Sequence, residues 1–85
     1  MRLAFRCHDP VVSLPRALDH IRRMGIDLNS LSARAGSRYS TVEIDLAERD
    51  SSTCQILTDR IGQISGVHEL RLLAGEPLSG QAAMS

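Results

Sequence analysis

Aromatic residues are almost missing from this chain: among its 85 residues there is one Phe, one Tyr and no Trp. A core must therefore be aliphatic, built from Leu, Ile, Val and Ala. Charge of one sign is missing too, because ten basic and ten acidic residues give a formal net charge of zero, and the two signs are mixed along the chain. That leaves no electrostatic footprint for a nucleic-acid partner. No apolar run approaches the roughly 18 residues of a membrane span, or the apolar stretch of a signal peptide. The run Met1-Arg2-Leu3-Ala4-Phe5-Arg6 meets charge at once, so a cytoplasmic location with no membrane partner is the expectation. With only two cysteines, Cys7 and Cys54, the chain lacks both a disulfide framework and the paired thiols of a structural zinc site.

What is present is enough for one small domain, which buries only about 60% of the surface its unfolded chain exposes. Its stability margin is thin, and association with another chain would help it. Residues 2 to 8 alternate, with Leu3, Phe5 and Cys7 on one face and Ala4, Arg6 and His8 on the other, the period of a half-buried strand. Asp9-Pro10 ends that strand. Ser13 is then the expected N-cap of a helix beginning near residues 12 to 14, with Pro15 in its first turn. Leu14, Ala17, Leu18 and Ile21 follow the helical repeat of a buried face, while Asp19 stands three or four residues from Arg16, Arg22 and Arg23. Gly25 can close the helix in the left-handed conformation.

Two strands are expected over 26 to 35 and 38 to 47, around a hairpin at Gly36-Ser37. The second alternates cleanly through Val42, Ile44 and Leu46. The first shifts its apolar parity between Leu28 and Leu31, which points to a bulge or an edge position, and an edge strand is expected. Ser52 and Gln55 have the spacing of a capping box for a second helix, whose buried face is Cys54, Leu57, Ile61 and Ile64, ending before Gly66. Leu70 and Leu72, alternating with Glu69 and Arg71, complete a last strand. The domain is expected over 1–73, and 74–85, without periodicity, as a disordered tail.

The order strand, helix, strand, strand, helix, strand is the split βαβ, or ferredoxin-like, arrangement of an α+β domain. It predicts a four-stranded, antiparallel-type sheet of order 4-1-3-2 with two helices on one face. The open face would show Arg6, Glu43, Asp45, Glu69 and Arg71, with opposite charges on neighbouring strands.

Catalytic groupings do not emerge from this frame. Cys7-His8 invites a metal or redox reading, but no second close thiol supports it, so no metal and no cofactor are expected. Cys7 and Cys54 fall at opposite ends of the sheet, a strand length of roughly 17 to 20 Å apart, which argues against a disulfide. Both read as small core hydrophobes. His8, His20 and His68 are scattered in sequence with no nucleophile and orienting acid to group them. A phosphate-hydrolysing site in the loop after strand 1 would want a basic cradle, and His8-Asp9-Pro10-Val11-Val12-Ser13 offers an acid. Base stacking would need outward aromatics on the central strands, where the third strand offers only Thr41, Glu43 and Asp45.

The junction Arg22-Arg23-Met24-Gly25-Ile26 followed by Asn29-Ser30-Leu31, then Val42-Glu43-Ile44-Asp45-Leu46 and Leu57 through Gly66-Val67-His68, resembles the ACT domain, a regulatory βαββαβ module. Within it, the chain is most similar to the small subunits of acetohydroxyacid synthase (acetolactate synthase), of the short kind paired with a valine-insensitive isozyme. The resemblance implies a non-catalytic subunit that dimerises and activates the large, thiamine-dependent catalytic subunit in branched-chain amino-acid synthesis. Valine-sensing relatives bind their effector at the dimer interface. They use a polar residue and a glycine after strand 1, and an Asn at the start of strand 2 of the partner. The matching positions here are Asp9, Val12 and Asp27, with Gly25 and Asn29 beside them as effector-loop and dimer-interface candidates. Val12 puts a branched side chain where a glycine admits the ligand, and Asp9 and Asp27 repel a carboxylate, so weak or absent valine feedback is expected. The alternatives are a free-standing ACT-like sensor of a small ligand such as an amino acid, and a catalytic acylphosphatase-like domain.

Overall fold

In the computed structural model, which describes residues 1–73, the chain runs β1 (Arg2–Cys7), α1 (Pro10–Arg23), β2 (Leu28–Ala35), β3 (Ser40–Leu46), α2 (Ser51–Gly62) and β4 (Val67–Leu72). The strands form one antiparallel sheet of order β2-β3-β1-β4, the expected order read from its other edge. The expected tail over 74–85 lies outside the described residues. One apolar cluster joins Leu3, Phe5 and Cys7 of β1, Val42, Ile44 and Leu46 of β3, Ala17 and Ile21 of α1, and Leu57 and Ile61 of α2. Both helices therefore cover the same sheet face, and the core is aliphatic around the single Phe. One residue on the open face is nevertheless buried: Ala4 is only 3% exposed, because its cross-strand neighbours Glu43 and Arg71 overhang a side chain of one carbon.

Helix α1 begins earlier than expected. Asp9, not Ser13, is its N-cap: the Asp9 carboxylate accepts from the Val11 N–H at 3.1 Å, and Pro10 is the first helical residue. Proline suits that position because its missing N–H has no intrahelical partner there. The pair that reads as the end of a strand is thus also the start of a helix. Ser13 is buried, at 2% exposure, and Pro15 falls in the second turn rather than the first. There it withholds an N–H from the Val11 carbonyl.

The far end of α1 follows expectation. Gly25 sits at φ +70°. Its N–H donates to the Arg22 carbonyl at 3.0 Å and the Ile26 N–H donates to the Ile21 carbonyl at 3.2 Å. These are the two bonds of a Schellman motif, and Ile21 and Ile26, both buried, make the apolar contact that accompanies it. Asp19 pairs with Arg22 at 2.7 Å and with Arg23 at 2.9 Å. Both of its oxygens are thereby taken, and Arg16, also expected as a partner, makes no ion pair among the described residues.

The capping box expected at Ser52 and Gln55 does not form. Asp50 is the N-cap of α2, its carboxylate accepting from both the N–H and the hydroxyl of Thr53 at 2.8 Å, while Gln55 donates to Asp59 one turn on. An Asp one step before two serines competes for the same helix end, and the charged acceptor wins. Leu57, Ile61 and Ile64 are buried as expected, and Cys54 is half-buried.

Strand β2 is the predicted edge, and it also carries a bulge: Leu28 pairs with Leu46 but Ser30 pairs with Asp45, so Asn29 is the extra residue. Every one of its eight residues is exposed. Leu28, Leu31, Ala33 and Ala35, the partners of Leu46, Ile44, Val42 and Ser40, form an apolar stripe on the helix side that neither helix covers. The hairpin to β3 turns through residues 36 to 39, closed by the Gly36 N–H donating to the Tyr39 carbonyl at 2.8 Å.

Candidate functional site

The positions that the resemblance singles out do not meet within one chain. Cys7 pairs with Ser40, and Ser40 with Ala35, so the exit of β1, with Asp9 and Val12, stands level with the end of β2. Asp27 and Asn29 stand at its start. The eight residues of β2 span about 25 Å at roughly 3.3 Å per residue, and Gly25 lies at the Asp27 end. An antiparallel two-fold pairing of β2 with its own copy would bring the start of one strand opposite the end of the other. The Asp9 carboxylate is engaged as a helix cap, whereas Val12 is 48% exposed. Asp27 is exposed, and its carbonyl accepts from the Ala47 N–H at 2.9 Å. Asn29 borders a shallow cleft with Met1, Asp45, Glu48, Arg49 and Asp50. Gly25 serves to end a helix.

The histidines are not all scattered. His8 follows β1, opposite Tyr39 in the extended register, and their ring centroids are 5.2 Å apart; on its other side the His68 ring lies 5.1 Å away, edge to face at 80°. Arg6 stands over the Tyr39 ring at 5.7 Å and pairs with Glu69 at 3.3 Å. The open face therefore carries a row of three rings, Tyr39, His8 and His68, where the alternation of β3 from Thr41 onward predicts none. The Arg6–Glu69 pair is of the kind expected across that face, and Arg2, which the expectation did not include, adds a second on Glu43 at 3.4 Å.

A backbone irregularity builds the His8–His68 contact. Leu3 pairs with Leu72 and Ala4 with Arg71, but Arg6 pairs with His68, so Glu69 and Leu70 together face Phe5. Strict alternation from Leu72 would put His68 on the helix side with Leu70. The extra residue switches the parity and turns His68 to the open face. Glu69 takes φ 51°, a left-handed conformation that costs a non-glycine residue about 1–2 kcal/mol. Sequence reasoning misses this pair because nothing in Val67-His68-Glu69-Leu70 marks a bulge with a glycine.

On the helix side a cleft of about 720 Å³ is lined by Pro15, Arg16, His20, Arg60, Gln63 and neighbours, and His20 Nδ1 is buried there with no hydrogen-bond partner among the described residues. Burial, reinforced by the Asp9 charge, pushes the Cys7 thiol up, and burial does the same to Cys54. Neither is poised as a thiolate at neutral pH. Among the described residues no three His, Cys, Asp or Glu side chains are grouped to hold a metal ion, and no helix is long and apolar enough to cross a membrane.

Neither a known protein family nor a curated protein matches the chain by sequence. Solved structures do match by shape. The ACT domain from the GTP pyrophosphokinase of Chlorobium tepidum superposes with a TM-score of 0.70 at 11% identity, covering 82% of this chain and 91% of that one. This chain has the ACT fold. The C-terminal domain of the MgtC protein from Mycobacterium tuberculosis shares the shape, with a TM-score of 0.72, 16% identity, and 89% and 86% of the two chains covered. So does an uncharacterized protein from Thermotoga maritima, with a TM-score of 0.63, 17% identity, and coverage of 82% and 88%. At such identities the ACT fold is held by patterning: aliphatic residues at the inward positions of β1, β3 and the helices, and Gly25 at the end of α1.

Proposed function

We propose that the chain is a non-catalytic regulatory subunit of the ACT type that pairs with a second copy and activates the large catalytic subunit of acetohydroxyacid synthase. The observation that carries the reading is edge strand β2, exposed along its whole length, with an apolar stripe that includes Leu28 at 46% and Leu31 at 36% exposure. An unpaired apolar edge is a template for another chain. Antiparallel pairing of two such edges makes an eight-stranded sheet and covers Leu31. The stretch of sequence that resembles the synthase small subunits, Arg22 to Leu31, leads directly into that edge.

An effector pocket at the pairing of Asp9 and Val12 with the partner's start of β2 is disfavoured here. Val12 fills the space that a backbone approach needs, and Asp27 adds a carboxylate facing the effector's own. The subunit is accordingly an activator without valine feedback. Mixing the purified chain with the large subunit tests this: a stable complex whose turnover rises on mixing and stays unchanged with added valine is expected. Absence of any complex overturns the reading in favour of a free-standing small-ligand sensor.

A further inference from the structure

The strained bulge in β4 has a definite result: it turns His68 out of the helix side and places it against His8, with Tyr39 on the far side of the His8 ring. Bulges re-aim side chains, and a non-glycine residue held at positive φ points to a function at the place where it occurs. Two imidazoles ligating one ion at about 2.0–2.1 Å and a tetrahedral angle stand with their centroids about 5 Å apart, and the His8–His68 separation is 5.1 Å. Both side chains are exposed, so a small rotation of each ring aims a nitrogen at a common point without disturbing the core. We propose that His8 and His68 form a surface site for one divalent ion of the nickel, copper and zinc group.

Imidazole is the ligand these ions favour, in contrast to the oxygen ligands of magnesium and calcium. The two histidines supply two ligands, and water fills the remaining positions. Arg6, the strand partner of His68, is a neighbouring cation whose charge is offset by Glu69 at 3.3 Å, which lowers the repulsion an incoming cation meets. Tyr39 packs against His8 and restricts its ring.

The chain has only three histidines, and His20 lies on α1, on the far side of the sheet, so substitution separates the possibilities cleanly. Calorimetric titration of the full chain with Zn2+, and separately with Cu2+, is expected to give one ion per chain, with Cu2+ the tighter. Loss of a mere outer-shell partner costs about 10–100-fold in metal affinity, so His8→Ala and His68→Ala, each with an unchanged circular dichroism spectrum, should lose at least that much. His20→Ala and Cys54→Ser should bind as before. Should either substitution unfold the chain, broadening of wild-type amide signals by Cu2+ reads the same site, and residues 6 to 9, 39 and 66 to 69 are expected to be affected. No uptake of either ion, uptake that survives both His8→Ala and His68→Ala, or broadening centred on His20 or Cys54 would overturn the assignment.

Discussion

Replacing Gly36 by Ala tests the hairpin that holds the edge strand in place. A Cβ on Gly36 would stand 2.6 Å from the Tyr39 carbonyl oxygen, a backbone atom, and that oxygen is also the acceptor of the Gly36 N–H at 2.8 Å. The added carbon must push away the atom that closes the turn. Overpacking costs about 1–3 kcal/mol and loss of the closing bond about 0.5–1.5 kcal/mol. The stiffer unfolded chain returns about 0.4–1 kcal/mol, leaving a net loss of about 2 kcal/mol from the middle of these ranges. Gly25 is the internal control: it has φ +70° but, among the described residues, nothing within 4 Å of a Cβ. Gly25→Ala therefore meets only the left-handed penalty of about 1–2 kcal/mol, less the same return. A domain of this size is stable by about 4–11 kcal/mol, so both variants fold. In urea, with a slope of about 1 kcal/mol per molar, the midpoint of Gly36→Ala should fall by about 2 M and that of Gly25→Ala by about 1 M or less. A Gly36→Ala variant as stable as Gly25→Ala would refute the argument, since the close approach would then carry no energy.

Leu57→Ala, at a fully buried position in the interface of α2 with the sheet, should lose about 2–5 kcal/mol, read as a large drop in the thermal midpoint. For the proposed pairing through β2, Leu31→Lys in its exposed stripe should leave the circular dichroism unchanged while a dimer sedimenting in the wild type gives way to monomer; a wild-type monomer, or a dimer that persists in the variant, would refute that pairing. The Asp50 carboxyl is held below its ordinary value by hydrogen bonds from the N–H and then the hydroxyl of Thr53, and that of Asp19 by Arg22 first and then Arg23. Folded values depressed in this way give stability that is complete above the ordinary value of 3.8 and is lost as pH falls below it. Unfolding midpoints should therefore drop below about pH 4 in the wild type, and less steeply in Asp50→Asn/Asp19→Asn. Cys7 is fully buried and Cys54 half-buried, so a thiol reagent should modify Cys54 first and reach Cys7 only at the rate of unfolding.

Where local chemistry decided the outcome, the sequence was readable. Gly25 after Arg22 and Arg23 announced a helix end, and the Schellman bonds to the Arg22 and Ile21 carbonyls form there. The parity slip between Leu28 and Leu31 pointed to a bulge or an edge, and β2 has both, the bulge at Asn29. Both helix starts were displaced for one shared reason. Serines at 13 and 52 have the right side chain, but Asp9 and Asp50 stand ahead of them with a charged acceptor and capture the first free N–H groups. The positions likened to an effector site were legible one at a time. That Asp9 and Asp27 lie a full strand apart follows already from the split βαβ order, in which β1 and β2 run the same way, and the register agrees.

The amino-acid order by itself determined the element order, the aliphatic core, the sheet order and the edge position of β2, because each follows from local periodicity and the few ways of closing a split βαβ. Only the tertiary structure decided which side of the sheet His68 faces. Its own neighbours assign it to the helix side by alternation. Pairing with β1 must satisfy Arg6 against His68 and Ala4 against Arg71 at once, and the chain accommodates the mismatch in one left-handed residue, Glu69. A long-range register thus overrides a local pattern, and it is this override that sets His68 beside His8.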